Sequence, residues 1–166
     1  FEFKTNDDYM GIWSLQYSSA LNRWNSTCGS WINLVDTPFS TSNVDIYTPT
    51  VSNWVEDVGW WAAYYGGLLG YAKTKDESGT WINSTSLASA SPTKKIVYSQ
   101  IVLTPITSVF DNLSTWDKIA IITHELGHVM CLGHSNSIYY PTTANSIMRT
   151  SLDQLTSNYS QSHDII

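Results

Sequence analysis

The sequence has little charge and no long apolar run, and each shortage argues against a class of protein. Only 13% of the 166 residues are charged, about half of the share in a typical soluble domain. The formal net charge is −6 and the isoelectric point is near 4.9. Nucleic acids and anionic membranes bind basic surfaces, so we expect neither as a partner. The longest candidate for a membrane span, residues 58–72, is short and interrupted by glycines, so we expect no span.

Cysteine is also scarce, since the chain has only Cys28 and Cys131. This even count does not by itself fix the compartment. No basic segment followed by an apolar one opens the chain, so we expect any signal or pro-segment to have been removed. Apolar residues make up 42% of the chain, which is enough for a core. The length is that of one domain, and we expect residues 1–166 to form a single domain.

Patterns of apolar residues predict an α/β domain. A helix is predicted over Tyr9–Trp24, with Asn6-Asp7-Asp8 as its N-terminal cap. Strands are predicted over Trp31–Val35, Val44–Tyr47, Leu68–Thr74 and Ile96–Leu103. Residues 54–67 fit either element, and residues 76–93 read as a polar loop. A second helix is predicted to begin at Ser114-Thr115, and a last one to start near residue 157.

The candidate chemistry lies in residues 124–134, which read His-Glu-Leu-Gly-His-Val-Met-Cys-Leu-Gly-His. His124 and His128 are four residues apart on a predicted helix, so both rings project from one face, about one turn apart. Such a pair suits two nitrogen ligands of one Zn²⁺ ion at about 2.0–2.1 Å. Glu125 lies about 100° further round the helix, where its carboxylate can reach a water molecule at the metal without binding the metal. We expect Glu125 to be the general base.

His134 can complete the ligand set only if the helix ends before it. An unbroken helix would carry His134 about 15 Å along the axis from His124. We expect Gly133 to make the turn, because glycine enters left-handed conformations at little cost. Three histidine ligands leave a fourth position open for water, which is typical of a catalytic zinc site. Lone histidines are usually core or surface residues, but three of the four histidines of this chain fall in this one segment.

The segment resembles the H-E-x-x-H-x-x-G-x-x-H signature of the metzincin metalloproteases. Further along, Ser146-Ile147-Met148 resembles the Met-turn of that clan, in which Met148 would form an apolar floor beneath the metal. Ser162-His163-Asp164-Ile165 is similar to the start of the C-terminal helix of the matrixins, where Asp164 would support the Met-turn. Within the clan the chain therefore resembles most the matrixins and their bacterial relatives.

The resemblance implies a metzincin-like α/β fold. Its sheet would be mostly parallel and twisted, with about five strands and an antiparallel edge strand, packed against a long first helix and an active-site helix. The upper subdomain would span about residues 1–134. A loop-rich lower subdomain with the Met-turn would span about residues 135–166, and its last helix would be truncated where the sequence stops.

The resemblance also implies where a peptide substrate would bind. The edge strand around Leu69, Gly70 and Tyr71 would hold an extended peptide through backbone hydrogen bonds, by strand addition. Arg149 would begin the wall of the pocket just past the cleavage point. The alternative for residues 69–71 is an ordinary interior strand.

Cys131 departs from the metzincin signature, which has glycine at this position. A left-handed non-glycine residue costs about 1–2 kcal/mol, so we expect Gly133 to take up the turn or a bond to compensate. In the metzincin architecture the two long helices pack side by side, which would bring Cys28 to Cys131. We therefore predict a disulfide between Cys28 and Cys131, and two unpaired buried thiols are the alternative.

These expectations describe a secreted, monomeric zinc endopeptidase that acts on protein or peptide substrates. One Zn²⁺ ion would acidify a water molecule and polarise the scissile carbonyl, and Glu125 would move the water proton to the leaving amine. A second, structural zinc is not expected, because His163 is the only histidine outside the motif. A calcium requirement stays open. Two alternatives are a zinc-bearing binding module without turnover and a hydrolase of a non-peptide bond.

Overall fold

A computed structural model describes residues 2–28, 31–65, 67–83, 95–134 and 147–148, which form a mixed α/β unit. The strands are β1 (Glu2–Tyr9), β2 (Asn33–Asp36), β3 (Val44–Tyr47), β4 (Gly70–Asp76), β5 (Trp81–Asn83) and β6 (Ile96–Leu103). The helices are α1 (Ser14–Cys28), α2 (Val51–Val58), α3 (Trp60–Tyr64), α4 (Thr107–Asp111) and α5 (Thr115–Val129). Short 3₁₀ turns lie at Gly11–Trp13 and Phe39–Thr41.

The six strands form one sheet in the order β2-β1-β3-β6-β4-β5. β1 is parallel to β2 and β3, β3 is parallel to β6, and β4 runs antiparallel to β6 and β5. The prediction of a mostly parallel sheet is confirmed. The sheet has six strands, however, and the antiparallel strand at its edge is β5, because β4 lies between β6 and β5. β5 has only three residues and lies in the stretch predicted as a polar loop. A strand this short shows too little alternation to be recognised in a sequence.

Local signals at the start of the chain predicted the wrong element. Val44–Tyr47 and Ile96–Leu103 are strands as predicted, but Asn6-Asp7-Asp8 belongs to β1 and does not cap α1. The tertiary structure overrides the capping preference, since Asn6 pairs with Asp45 in the sheet and its side-chain amide donates to the Thr37 carbonyl at 3.0 Å. The undecided stretch, residues 54–67, is helical as far as Tyr64, with α2 and α3 separated at Gly59 by a backbone φ of 83°.

The main core lies between the sheet and the helix pair α1 and α5. Trp13, Trp24 and Leu126 are fully buried there. The Trp24 indole N–H donates to the Thr123 carbonyl at 2.7 Å and so joins α1 to α5. The Trp13 indole N–H donates to the Thr104 carbonyl at 2.9 Å, just past the end of β6. These two buried hydrogen bonds fix α5 relative to α1, and the end of β6 relative to the 3₁₀ turn that leads into α1.

A second core cluster attaches α2 and α3 to β4 and β6. Trp54 and Ala63 are buried in it together with Val102 and Ile106. The Trp54 ring stacks on the Tyr71 ring with centroids 5.9 Å apart.

Among the helices that the structure describes, none is both long and apolar enough to cross a bilayer.

We expect Trp24→Phe to lower the free energy of unfolding by about 1–3 kcal/mol, because it removes a buried hydrogen bond to Thr123 together with part of a well-packed ring. Urea unfolding followed by circular dichroism measures this change. Trp31 is 74% exposed, so Trp31→Phe is a matched control that should change stability by less than about 0.5 kcal/mol. Equal midpoints for the two variants would contradict the role given to Trp24.

Candidate metal centre

Helix α5 begins with a complete capping box. The Ser114 hydroxyl accepts a hydrogen bond from the Asp117 N–H at 3.1 Å, and the Asp117 carboxylate accepts one from the Ser114 N–H at 3.0 Å. The N-terminal cap predicted at Ser114 is therefore confirmed. Ile122 and Leu126 are fully buried on the core side of this helix. The cap and the buried face fix the helix that carries His124, Glu125 and His128.

The C-terminal end of α5 is a Schellman turn. The Cys131 N–H donates to the His128 carbonyl at 2.9 Å, and the Leu132 N–H donates to the Gly127 carbonyl at 3.0 Å. Cys131 itself is left-handed, with a φ of 66°. The prediction that Gly133 makes the turn is therefore wrong. In a Schellman turn the left-handed residue is the first one past the helix cap at Met130, whatever its side chain.

This turn brings His134 back to the other two histidines. The Nε2 atoms of His124 and His128 lie 3.1 Å apart, those of His128 and His134 lie 3.1 Å apart, and those of His134 and His124 lie 3.3 Å apart. Nitrogen ligands at about 2.0–2.1 Å from a tetrahedral metal are about 3.3–3.4 Å from one another. The three histidines therefore lie close enough together to bind one metal ion.

Two backbone carbonyls set which ring nitrogens face the centre of this group. His124 Nδ1 lies 2.7 Å from the Ile147 carbonyl oxygen, and His128 Nδ1 lies 2.8 Å from the Leu132 carbonyl oxygen. A carbonyl oxygen only accepts, so each Nδ1 carries the hydrogen and each Nε2 of a neutral ring presents a lone pair. Burial lowers the pKa of His124 to about 3 and lowers that of His128, which keeps both rings neutral. Lone pairs this close repel one another, and a cation between them relieves the repulsion.

Glu125 is buried beside this group and has an unsatisfied carboxylate oxygen. Its Oε2 has no hydrogen-bond partner in the described part of the chain. Burial raises the pKa of Glu125 to about 8, because the charged form loses its hydration. A cation held by the histidines would favour the ionised form instead. The unsatisfied oxygen and the neutral nitrogen donors both fit a bound metal ion.

Gly70 lies against the side chain of Glu125. A Cβ atom at Gly70 would lie 3.3 Å from Glu125 Cγ and 3.0 Å from Leu103 Cδ2, so the start of β4 approaches α5 more closely than a larger residue allows. The sequence predicted Gly70 as a substrate-binding position but did not reveal this packing role. A glycine inside a strand pattern was the available signal, because it often marks a close approach.

Ile147 and Met148 are buried against the turn of α5 between His124 and His128. A Cβ atom at Gly127 would overlap the Met148 sulfur and would lie 3.1 Å from Trp24 Cζ2. Gly127 is therefore required for Met148 to pack there, and this packing also holds the Ile147 carbonyl beside His124. The sequence did not single out Gly127, although glycine in a helix interior costs about 1 kcal/mol and signals such a contact.

The two hydrogen-bonding edges of the predicted substrate strand differ in how they are paired. The Leu69 carbonyl accepts from the Thr104 N–H at 3.0 Å. In this antiparallel ladder the peptide groups of the odd-numbered residues therefore bond to β6, and those of Gly70 and Ala72 point away from β6, toward the side of the sheet where β5 lies. β5 pairs with Lys73–Lys75 only, so these groups are unpaired within the described residues. The Tyr71 side chain points away from Glu125, and its hydroxyl donates to Asp57 Oδ2 at 3.0 Å.

Several predicted positions lie outside the described residues. They are Arg149, Ser146, His163, Asp164 and the rest of the lower subdomain, residues 135–146 and 149–166. Cys131 is exposed and has no disulfide partner among the described side chains, and the side chain of Cys28 lies outside them. The disulfide between Cys28 and Cys131 therefore stays a prediction.

No protein-family model matches this chain, and no curated protein is similar to it at a significant level. The resemblance to the metzincins consequently stays a prediction that depends on residues 124–134 and 146–148.

We expect Gly127→Ala to destabilise the protein by about 1–3 kcal/mol and to weaken metal binding, because the new Cβ must displace Met148 and the Ile147 carbonyl with it. Thermal unfolding and a metal titration measure the two effects. Gly133→Ala is the control, since a Cβ there has no atom within 4 Å and the backbone is not left-handed. If Gly127→Ala is as stable as Gly133→Ala, the packing of Met148 against Gly127 does not contribute to the stability of the fold.

Proposed function

We propose that this chain is a secreted zinc-dependent endopeptidase of the metzincin type. The observation that carries the proposal is the convergence of three histidine Nε2 atoms, 3.1–3.3 Å apart, beside a buried carboxylate. Three neutral imidazoles at nearly tetrahedral spacing are a ligand set typical of zinc, and they leave a fourth position open. Glu125 is buried next to this set, and its Oε2 has no hydrogen-bond partner within the described residues, which favours a catalytic metal site over a purely structural one.

His124, His128 and His134 would hold the zinc ion, which would supply a Lewis acid that acidifies a water molecule and polarises a carbonyl oxygen. Glu125 would accept a proton from the attacking water, hold it, and deliver it to the nitrogen of the leaving amine. Its Oε2 has no competing partner within the described residues, so the carboxylate is available for this transfer. The packing of Glu125 Cγ against Gly70 restricts where the carboxylate can point.

The start of β4, before its pairing with β5, supports a peptide rather than a small molecule as substrate. Within the described residues, the outward peptide groups of Gly70 and Ala72 offer two donors and two acceptors to an added strand. Because Gly70 lies against Glu125, a peptide bound along this edge would pass the general base. We propose that Leu69, Gly70 and Tyr71 act through their backbone, since the Tyr71 side chain is engaged on the other face.

We expect the purified protein to contain about one zinc ion per chain, and a chelator to abolish the hydrolysis of a denatured protein until Zn²⁺ is restored. His134→Ala should lose most of the bound zinc, because it removes one of the three ligands. His163→Ala is the matched control and should keep the zinc. Elemental analysis of dialysed protein gives the ratio of zinc to protein. Full zinc content in His134→Ala would show that His134 is not a zinc ligand.

We expect Glu125→Gln to keep the zinc and the fold but to lose about 10²–10⁴-fold in kcat, because the general base is removed while the metal ligands remain. The control is Glu77→Gln, an exposed glutamate that should leave turnover unchanged. A near-normal rate in Glu125→Gln would exclude the proposed role. Bound zinc without hydrolysis of any peptide by the unmodified protein would favour the binding-module alternative.

A further inference from the structure

Two lysines of β4 lie on the face of the sheet that is turned away from the candidate metal centre. Burial alternates along this strand, and its even-numbered residues are the buried ones. A Cβ atom at Gly70 would lie 3.3 Å from Glu125 Cγ, so the even-numbered residues face α5. The odd-numbered residues Tyr71, Lys73 and Lys75 therefore lie on the opposite face, which we call the outer face.

The ammonium groups of these lysines lie over aromatic rings of the outer face. Lys73 Nζ is 4.9 Å from the centroid of the Trp81 ring and 6.0 Å from that of the Tyr71 ring. Lys75 Nζ is 5.4 Å from the centroid of the Trp81 ring. Ring faces attract a cation but carry no net charge, so they hold each ammonium group in place without neutralising it.

Two carboxylates lie on the same side of the sheet, and each is held by a tyrosine hydroxyl. Asp57, at the end of α2, accepts from the Tyr71 hydroxyl at 3.0 Å, and Asp45 accepts from the Tyr98 hydroxyl. Neither carboxylate forms an ion pair with Lys73 in the part of the chain that the structure describes. The positive charge of Lys73 is therefore available to a negative group of another molecule.

A peptide strand added to the start of β4 would place one of its side chains beside Lys73. The outward peptide groups belong to Gly70 and Ala72, so Tyr71 occupies the non-hydrogen-bonded position between them. The substrate residue opposite Tyr71 would have its side chain on the outer face, and its two neighbours would point toward α5. Lys73 is the diagonal neighbour of that residue, at about 7–8 Å, which a long side chain spans.

We propose that Lys73 is a specificity-determining residue, which selects substrates with aspartate or glutamate at the position that pairs with Tyr71. This inference rests on the proposed endopeptidase function and names the substrate class of that same site. A lysine or arginine at this position of the substrate would be repelled, because like charges on neighbouring strands destabilise the pairing.

Hydrolysis by the zinc-loaded protein tests this preference. The probes are eight-residue peptides of one fixed sequence, in which each position in turn carries glutamate or lysine. We expect one position at which kcat/KM is about fivefold higher with glutamate than with lysine, mainly through KM. At that position, Lys73→Glu should invert the preference, Lys73→Met should abolish it, and Lys73→Arg should keep it.

Lys75→Glu is the matched control, because it makes the same change of charge on the same face. β5 occupies the positions opposite Lys75 and opposite Lys73, so a substrate side chain cannot be a direct or diagonal neighbour of Lys75 on this side. Circular dichroism checks that each variant is folded. If Lys75→Glu changes the preference as much as Lys73→Glu does, the effect is a general one of surface charge and the proposal is overturned.

A binding measurement separates this inference from the proposed function. The same peptides are titrated into the zinc-loaded Glu125→Gln protein, where the Kd should be about fivefold lower for the glutamate peptide than for the lysine peptide at one position. Hydrolysis without a preference that depends on Lys73 would contradict the inference alone. Binding that depends on Lys73, without hydrolysis of any peptide by the unmodified protein, would contradict the endopeptidase alone. A protein that neither binds nor cuts these peptides would contradict both.

Discussion

The candidate metal centre depends on the reversal of the chain at the end of α5. The last carbonyls of this helix, on Gly127 and His128, are capped by the N–H groups of Leu132 and Cys131. The Leu132 carbonyl in turn accepts from His128 Nδ1 at 2.8 Å. The same few peptide groups therefore end the helix, orient one ligand and return His134 to the others. Without the turn, His134 would lie about 15 Å along the helix axis from His124.

Packing and ligand orientation are coupled on the other side of the centre as well. Met148 fits against α5 only because Gly127 has no side chain, and its neighbour Ile147 supplies the carbonyl that orients His124. Trp24 contacts the same turn and donates to Thr123, so α1 also takes part in holding the ligand helix. A substitution in the core therefore changes the positions of the histidines, although no core side chain is a candidate ligand.

The sequence revealed the residues of the centre better than the backbone that assembles them. The spacing of the histidines and the cap at Ser114 were predictable, because both depend on the geometry of a single helix. The left-handed residue was misplaced at Gly133, because residue preference is a weaker determinant than the hydrogen bonds that fix the turn at Cys131. The contacts of Gly70 and Gly127 were also missed. A sequence shows where a glycine stands but not that Glu125 or Met148, distant along the chain, will pack against it.

Glu125 differs in its hydrogen bonding from Asp45 and Asp76, the other two buried acids of the described residues. Asp45 accepts from the Ser42 and Tyr98 hydroxyls, and Asp76 accepts from the Ser78 and Thr80 N–H groups at 2.9 and 3.0 Å. Both carboxylates are satisfied by neighbours on their own side of the sheet or in their own turn. Glu125 Oε2 has no such partner in the described part of the chain, and an unpartnered buried carboxylate destabilises a fold. The contrast with Asp45 and Asp76 therefore supports the proposal that Glu125 transfers protons, because a general base needs a carboxylate oxygen that no other donor occupies.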